Sequence, residues 1–390
     1  MISHDFPPYA FGGIAAVCYD LAHSLAKRGV SVTVIAGTPR RKENEEVTKN
    51  FRVIRLPYLD FPSRSLWFQV QNQKTILSLL KNFDIVHGVH TQSSAFCTLV
   101  KGKIGKPLIF SIHGIFLTEL QVFANSPFSE WTLGDIGYNI FEYPLNELYL
   151  RTCLKGADHT IVCGYSTCEE MLNLYTGVDR SKVSVVLNGV NFDKLREIKD
   201  SPEKEASDQI SIMYYGRLFY RKGILHLVKA FAALKQDCPD AALNIFGKGP
   251  LESKIRKMAS NLKVADKIHL RGFVAYGDLI REIRRATLVC FPSLYEASPV
   301  APLEAMACAK PVVAFDMPFM RELMVNMDNA ILAKPENVPD LSDKIRILLS
   351  DENLRSRMGR NAYDYALKNH SWDLLVEKYM KIYEKTMTEA

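Results

Sequence analysis

Glu296 and Glu304 frame the stretch Glu-Ala-Ser-Pro-Val-Ala-Pro-Leu-Glu. The run just before it, Leu-Val-Cys-Phe-Pro-Ser at 288–293, has the composition of a buried strand. Pro302 suits the first position of a following helix, because no acceptor awaits an N–H there. Glu296 is therefore expected on a loop at the strand's carboxyl end, and Glu304 in the first turn of the helix. Backbone N–H groups between them would face an anion at the helix N-terminus. Two carboxylates beside an anion site suit a ligand with both hydroxyls and phosphates, such as a nucleotide sugar. On spacing alone, a loop acid and a glutamate favouring a helix N-terminus fit equally well.

Cations for such a ligand occur at 214–223, Tyr-Tyr-Gly-Arg-Leu-Phe-Tyr-Arg-Lys-Gly. A strand should end at Gly216, leaving Arg217 and Lys222 on the loop beyond. Arginine offers phosphate oxygens a planar fork and lysine adds a point charge, so the pair could neutralise a diphosphate. Taken alone, they also fit solvated surface charges. Gly247, in Phe-Gly-Lys-Gly-Pro at 246–250, permits close approach to the backbone, or serves a plain turn. Phe273 ends a further strand, where backbone groups could meet a base.

In the first half, Gly12 and Gly13 stand before a helix. A dinucleotide fingerprint needs three spaced glycines and an acid about 20 residues on. The second strand instead ends in Ala-Gly-Thr-Pro at 36–39, so a nicotinamide cofactor is not expected. The glycines could give a diphosphate or an acceptor access to backbone N–H groups, or simply open the helix. His113 ends a strand at 108–113, and His87 and His90 end another. No close-spaced ligand pair with a carboxylate accompanies these histidines, so no metal is expected. Neither a nucleophile elbow nor a Walker loop occurs.

The elements that must position these residues alternate between strand and helix. Apolar residues at helical spacing over 13–28 predict an amphipathic helix, stopped by Gly29. Strands are expected at 30–36, 51–56, 85–87, 108–113, 159–163 and 183–187. After a polar stretch at 191–209, a second series follows at 210–215, 242–246, 267–271, 288–291 and 311–315. Helices are expected at 224–235, 251–262, 277–286 and 302–309, with three more at 339–350, 352–368 and 371–387. The pattern predicts two α/β domains with parallel sheets, facing across a cleft. Their bounds are 1–190 for the first, 191–209 for a linker, 210–370 for the second, and 371–390 for a helix crossing back to the first.

The chain has 390 residues, 47% hydrophobic and 24% charged, with a formal net charge of +6. This suits a soluble globular protein and gives no basic surface for nucleic acid. The eight cysteines are scattered without a Cys-x-x-Cys pair, as in reduced cytosolic proteins. No apolar run is long enough to span a bilayer, and no signal peptide opens the chain. A cytoplasmic protein is expected. The aromatics Phe116, Phe123, Phe128, Trp131, Tyr138, Phe141, Tyr143 and Tyr149, with Trp67 and Phe68, could form an acceptor groove or a membrane-facing surface, while ordinary packing accounts for most such residues.

In order and spacing, these motifs resemble the retaining glycosyltransferases of family 4, which have the GT-B fold of two Rossmann-like domains. The resemblance covers essentially the whole chain. It rests on Gly12-Gly13, His113, Gly216-Arg217, Lys222-Gly223, the Asn-Gly-Val at 188–190, and Glu296 through Glu304-Ala-Met-Ala. It implies that Arg217 and Lys222 bind the donor diphosphate and stabilise the leaving group. Glu304 would hold the ribose, Glu296 the donor sugar, and His113 the sugar and the acceptor's place. Gly13, Gly216, Gly247, Phe273, Ser298, Pro299 and Val300 would complete the donor site. No cofactor or metal is implied. The partners are a nucleotide diphosphate sugar and a glycan or lipid-linked acceptor. Two departures stand out. The first strand looks clipped, with Met-Ile-Ser-His alone before Asp5, and Ala297-Ser298-Pro299 replaces the commoner Gly-Phe-Gly. Pro299 removes a backbone donor, while Ser298 offers a hydroxyl. The competing functions are a nucleotide-sugar epimerase of the same fold, needing no acceptor, and a non-catalytic sugar-nucleotide-binding subunit.

Overall fold

The computed structural model describes residues 1–9, 12–39, 44–59, 64–127, 131, 143–200 and 210–389. The chain divides into two compact units. The described residues of 1–117 and 138–189 and the helix Trp372–Glu389 form the first. The described residues of 118–137 and 190–371 form the second. Residues 118–127 therefore leave the first domain expected from sequence. Phe128, Tyr138, Phe141 and the 201–209 part of the linker lie outside the described residues.

In the first unit, β1 (Ile2–Ser3), β2 (Val32–Thr38), β3 (Asn44–Thr48), β4 (Phe51–Pro57), β5 (Val86–Gly88), β6 (Leu108–Ile112), β7 (His159–Val162) and β8 (Val183–Val185) form one sheet. Its order is β3-β4-β2-β1-β5-β6-β7-β8. The pairings are parallel except β3 with β4, an antiparallel edge that the sequence reading missed. β3 reads Asn-Glu-Glu-Val-Thr, with exposed glutamates that suit an edge rather than a core. β1 has only two residues, yet it is central, pairing with both β2 and β5.

The first helix, Gly13–Lys27, buries Val17, Cys18, Leu21 and Leu25 as its spacing requires. Gly29 follows at φ +88°, a left-handed position that suits glycine. The last helix, Trp372–Glu389, buries Trp372, Leu375, Val376, Tyr379 and Tyr383. It is tied to the first helix through Arg28, which donates to the Asp373 carbonyl at 2.8 Å and pairs with Glu377.

The second unit holds β9 (Ser211–Tyr215), β10 (Ala242–Phe246), β11 (Ile268–Gly272), β12 (Leu288–Phe291), β13 (Val312–Phe315) and β14 (Ile331–Ala333). This sheet is parallel, in the order β11-β10-β9-β12-β13-β14. Alternation along each strand feeds two cores. Ile212, Tyr214, Leu243, Ile245, Leu288, Cys290, Val313 and Phe315 fill one face. Met213, Tyr215, Phe246, Val289, Phe291, Val312 and Ala314 fill the other. Both faces are dry, so these strands read as apolar runs rather than as alternating patterns. Each buried Val, Leu, Ile, Phe or Met among them contributes about 1.5–3 kcal/mol by burial. Where the chain enters and leaves this unit, the Val190 N–H donates to the His370 carbonyl at 2.8 Å.

Two local expectations change. The helix after β12 spans Val300–Ala307, starting two residues before Pro302. Pro302 is then its third residue, where an N–H still lacks an intrahelical acceptor. Glu304 consequently lies past the first turn. Of the aromatics considered for a groove or a membrane-facing surface, Phe68 is fully buried in the core, as ordinary packing requires. Phe116, Phe123, Tyr143 and Tyr149 are half-buried, and Phe123 packs on Trp131 at 4.5 Å. Among the described residues, no helix is long and apolar enough to cross a membrane.

Candidate active site

The second unit reverses its strand order between β9 and β12, which are hydrogen-bonded neighbours. In open α/β sheets, ligands bind outside the carboxyl ends of the strands at such a point. Arg217 and Lys222 follow β9, and Glu296 and Glu304 follow β12. The topology thus brings together two motifs far apart in sequence.

Glycines let the strand ends close on one another. The Gly216 N–H donates to the Phe246 carbonyl at 3.0 Å, and the Gly247 N–H to the Gly272 carbonyl at 2.7 Å. A Cβ on Gly247 would lie 1.9 Å from the Gly216 oxygen, so backbone packing alone demands glycine there. Gly223, at φ +66°, is bound as tightly, since its Cβ would fall 1.7 Å from the Pro292 oxygen. This close approach sets the β9 loop against the β12 loop. The Leu294 N–H donates to the Arg221 carbonyl at 2.8 Å across the seam.

Lys222 Nζ pairs with Glu296 Oε1, and the side chains are 20% and 15% exposed. Ser293 Oγ donates to the same carboxylate oxygen at 3.1 Å. Burial lowers the Lys222 pKa, and Arg221 and Arg217 push the same way, while Glu296 raises it. Arg217 is exposed, and among the described residues its guanidinium has no ion-pair partner. Its neighbour Arg221 is engaged, pairing with Glu119. One cation is therefore held by the protein and the other stands in solvent beside it.

Two residues the sequence reading passed over brace this site. Tyr214 and Tyr215 are adjacent on β9 and so point to opposite faces of the sheet. The Tyr214 hydroxyl donates to the Arg217 carbonyl at 3.0 Å, fixing the cation loop. The Tyr215 hydroxyl donates to the Ala301 carbonyl, fixing the start of the helix Val300–Ala307. Burial first, then the charge of Glu304, raises the Tyr215 pKa. Glu304 is half-buried on that helix. Paired tyrosines at a strand's end were the available signal.

Ser298 and Val300 are half-buried and Pro299 is buried. Pro299 caps the helix, and neither it nor Pro302 has an N–H. The first-turn donors are consequently Val300 and Ala301. Phe273, just past β11, is 58% exposed.

Gly13 and His113 belong to the first unit. Gly13 opens its helix with no atom within 4 Å of where a Cβ would stand. His113 follows β6, and its Nε2 is buried with no hydrogen-bond partner among the described residues. Burial pushes its pKa down to about 4, so the ring is neutral at physiological pH. Of the other histidines considered as ligands, His87 is fully engaged. Its Nδ1 bonds the Tyr383 hydroxyl and its Nε2 the Ser111 hydroxyl, both at 2.7 Å. His90 does have a carboxylate close by, contrary to the sequence expectation, because β1 and β5 are neighbours and bring it to His4 and Asp5.

Comparison with known proteins agrees with this architecture. The family model described as Glycosyltransferase Family 4 matches residues 11–194, and that described as Glycosyl transferases group 1 matches residues 196–365. An uncharacterized glycosyltransferase of Methanocaldococcus jannaschii is 25% identical over 402 residues, covering 99% of this chain and 98% of its own. Sucrose-phosphate synthase from Thermosynechococcus elongatus superposes with a TM-score of 0.80 at 19% identity, covering 100% and 98% of the two chains. Anabaena HepE, solved in complex with UDP-glucose, gives 0.75 at 17% identity, covering 100% and 98%. With matches to both halves and this fold, the chain belongs to the group 1 glycosyltransferases of family 4, built on the GT-B fold.

Proposed function

We propose that the protein transfers a hexose from a nucleotide diphosphate sugar to a hydroxyl of a glycan or lipid-linked acceptor, with retention of anomeric configuration. The observation that carries this reading is the pairing of an anchored Lys222 with an exposed Arg217 at the switch point of the second sheet. A departing nucleoside diphosphate gains negative charge as the glycosidic bond breaks. Fixed cations stabilise that charge without reorganising, which is the main source of catalysis in such sites. Arg217 offers a fork to the phosphate oxygens, and Lys222 supplies a point charge. These two cations take the role a divalent ion would otherwise have at the diphosphate. Glu304 accepts hydrogen bonds from the ribose hydroxyls, and Glu296 from those of the sugar. His113, being neutral, serves as a hydrogen-bonding group to the sugar and the acceptor. The departing phosphate oxygen takes the acceptor's proton on the face where the new bond forms. HepE, the structural relative solved with UDP-glucose, supports a donor of this class.

The test is a panel of nucleotide sugars, screened by thermal shift and then for turnover with and without saccharide acceptors. The expected result is stabilisation by one donor class, slow hydrolysis alone, and an α-linked product from an α-linked donor by NMR. Conversion of the donor to an epimer without acceptor would replace this reading with epimerisation. Binding without turnover across the acceptor panel would replace it with a non-catalytic subunit.

A further inference from the structure

The sheet of the first unit also has a switch point, between β1 and β5. There Ile2 is the register partner of Gly88. Two residues further along each strand direction stand His4 and His90. Their rings meet edge to face with centroids 4.2 Å apart. Asp5 joins them, with Oδ1 3.5 Å from His4 Nε2. One ligand atom from each of the three residues lies within 4.8 Å of the other two.

We propose that His4, Asp5 and His90 bind a divalent transition-metal ion of the zinc type. Two imidazoles and one carboxylate form a borderline donor set that suits zinc, and three protein ligands leave the fourth tetrahedral position open. Ligands about 2.1 Å from a tetrahedral ion lie about 3.4 Å apart. The His4–Asp5 separation of 3.5 Å already has that spacing. The widest pair, at no more than 4.8 Å, closes to it by side-chain rotation.

A second observation concerns His4 itself. Its side chain is 9% exposed, and its Nδ1 is buried with no hydrogen-bond partner among the described residues. Burial lowers the His4 pKa, the charge of Asp5 opposes that, and the charge of Arg64 adds to it. Arg64 works against a bound cation, so the imidazoles and Asp5 must carry the affinity. The three residues lie in a different unit from Arg217 and Lys222.

The experiment is a titration of the chelator-treated full-length chain with Co²⁺, in the absence of nucleotide sugar, followed by displacement with Zn²⁺. The expected result is one Co²⁺ per chain with the intense visible absorption of a tetrahedral site. His90→Gln and Asp5→Asn should each weaken binding by at least about tenfold. Both replace residues that are only partly buried, and thermal unfolding of each variant checks that it folds. A wild-type chain that takes up no Co²⁺ overturns the proposal. So does uptake that both folded variants retain undiminished.

Discussion

Arg217→Ala and Lys222→Met remove the same charge from one site, yet they should fail differently. Arg217 is exposed, and the loop carrying it is held by the Tyr214 hydroxyl on its main-chain carbonyl, which truncation leaves intact. Its loss should change stability by no more than about 0.5 kcal/mol. Turnover should fall by about 10²–10³, equivalent to about 2.7–4 kcal/mol of transition-state stabilisation. Lys222 is paired with Glu296 at 20% and 15% exposure. Its removal leaves a mostly buried carboxylate with the Ser293 hydroxyl at 3.1 Å. Breaking a fully buried pair costs about 3–5 kcal/mol, and solvent at the edge of this one reduces that to about 2–3 kcal/mol. For a unit of this size the melting temperature should drop by about 4–12 °C. The assay pairs thermal unfolding of both variants with steady-state donor turnover. Near-normal turnover in Arg217→Ala would refute the leaving-group role. A wild-type melting temperature in Lys222→Met would refute the anchoring role of the pair.

Glu296→Gln should shift the alkaline limb of the pH–rate profile to lower pH. Burial already lowers the Lys222 pKa and Glu296 opposes that, so the variant's lysine loses its proton earlier. In linkage terms, the folded pKa lies below the unfolded one, so this group makes stability rise with pH between the two, and the variant widens that window. An alkaline limb that stays in place would show that a protonated Lys222 is not required. Arg221 and Glu119 form an ion pair at 29% and 19% exposure. Arg221→Glu and Glu119→Arg should each destabilise the chain, and the double reversal should recover about 1–2 kcal/mol in denaturant unfolding. Additive losses in the double variant would show that the contact carries no coupling.

Most strands and helices were legible because their cause is local. A strand buried on both faces must be apolar throughout, as in β9 and β12, and an amphipathic helix must repeat near every 3.6 residues, as over Gly13–Lys27. β3 and β14 were not legible. One is a polar edge, and the other has only three residues, Ile331–Ala333, which are too few to show a period. The start of the helix at Val300 was misplaced because proline is tolerated throughout a first turn, so Pro302 marks the turn without marking its first residue.

At the site, local sequence supplies the chemistry: two cations after one strand and two carboxylates after another. The spacing and glycine content that reveal a strand-to-loop transition are properties of neighbouring residues. Which of these groups meet depends on the order of strands in the folded sheets. Lys222 reaches Glu296 because β9 and β12 are adjacent in the sheet. His90 reaches His4 because β1 lies beside β5. Tyr214 and Tyr215 serve opposite walls of one site because adjacent strand residues face opposite ways. Strand order is set by the packing of whole helices and sheets, a sum over many distant apolar contacts, and no short motif encodes it.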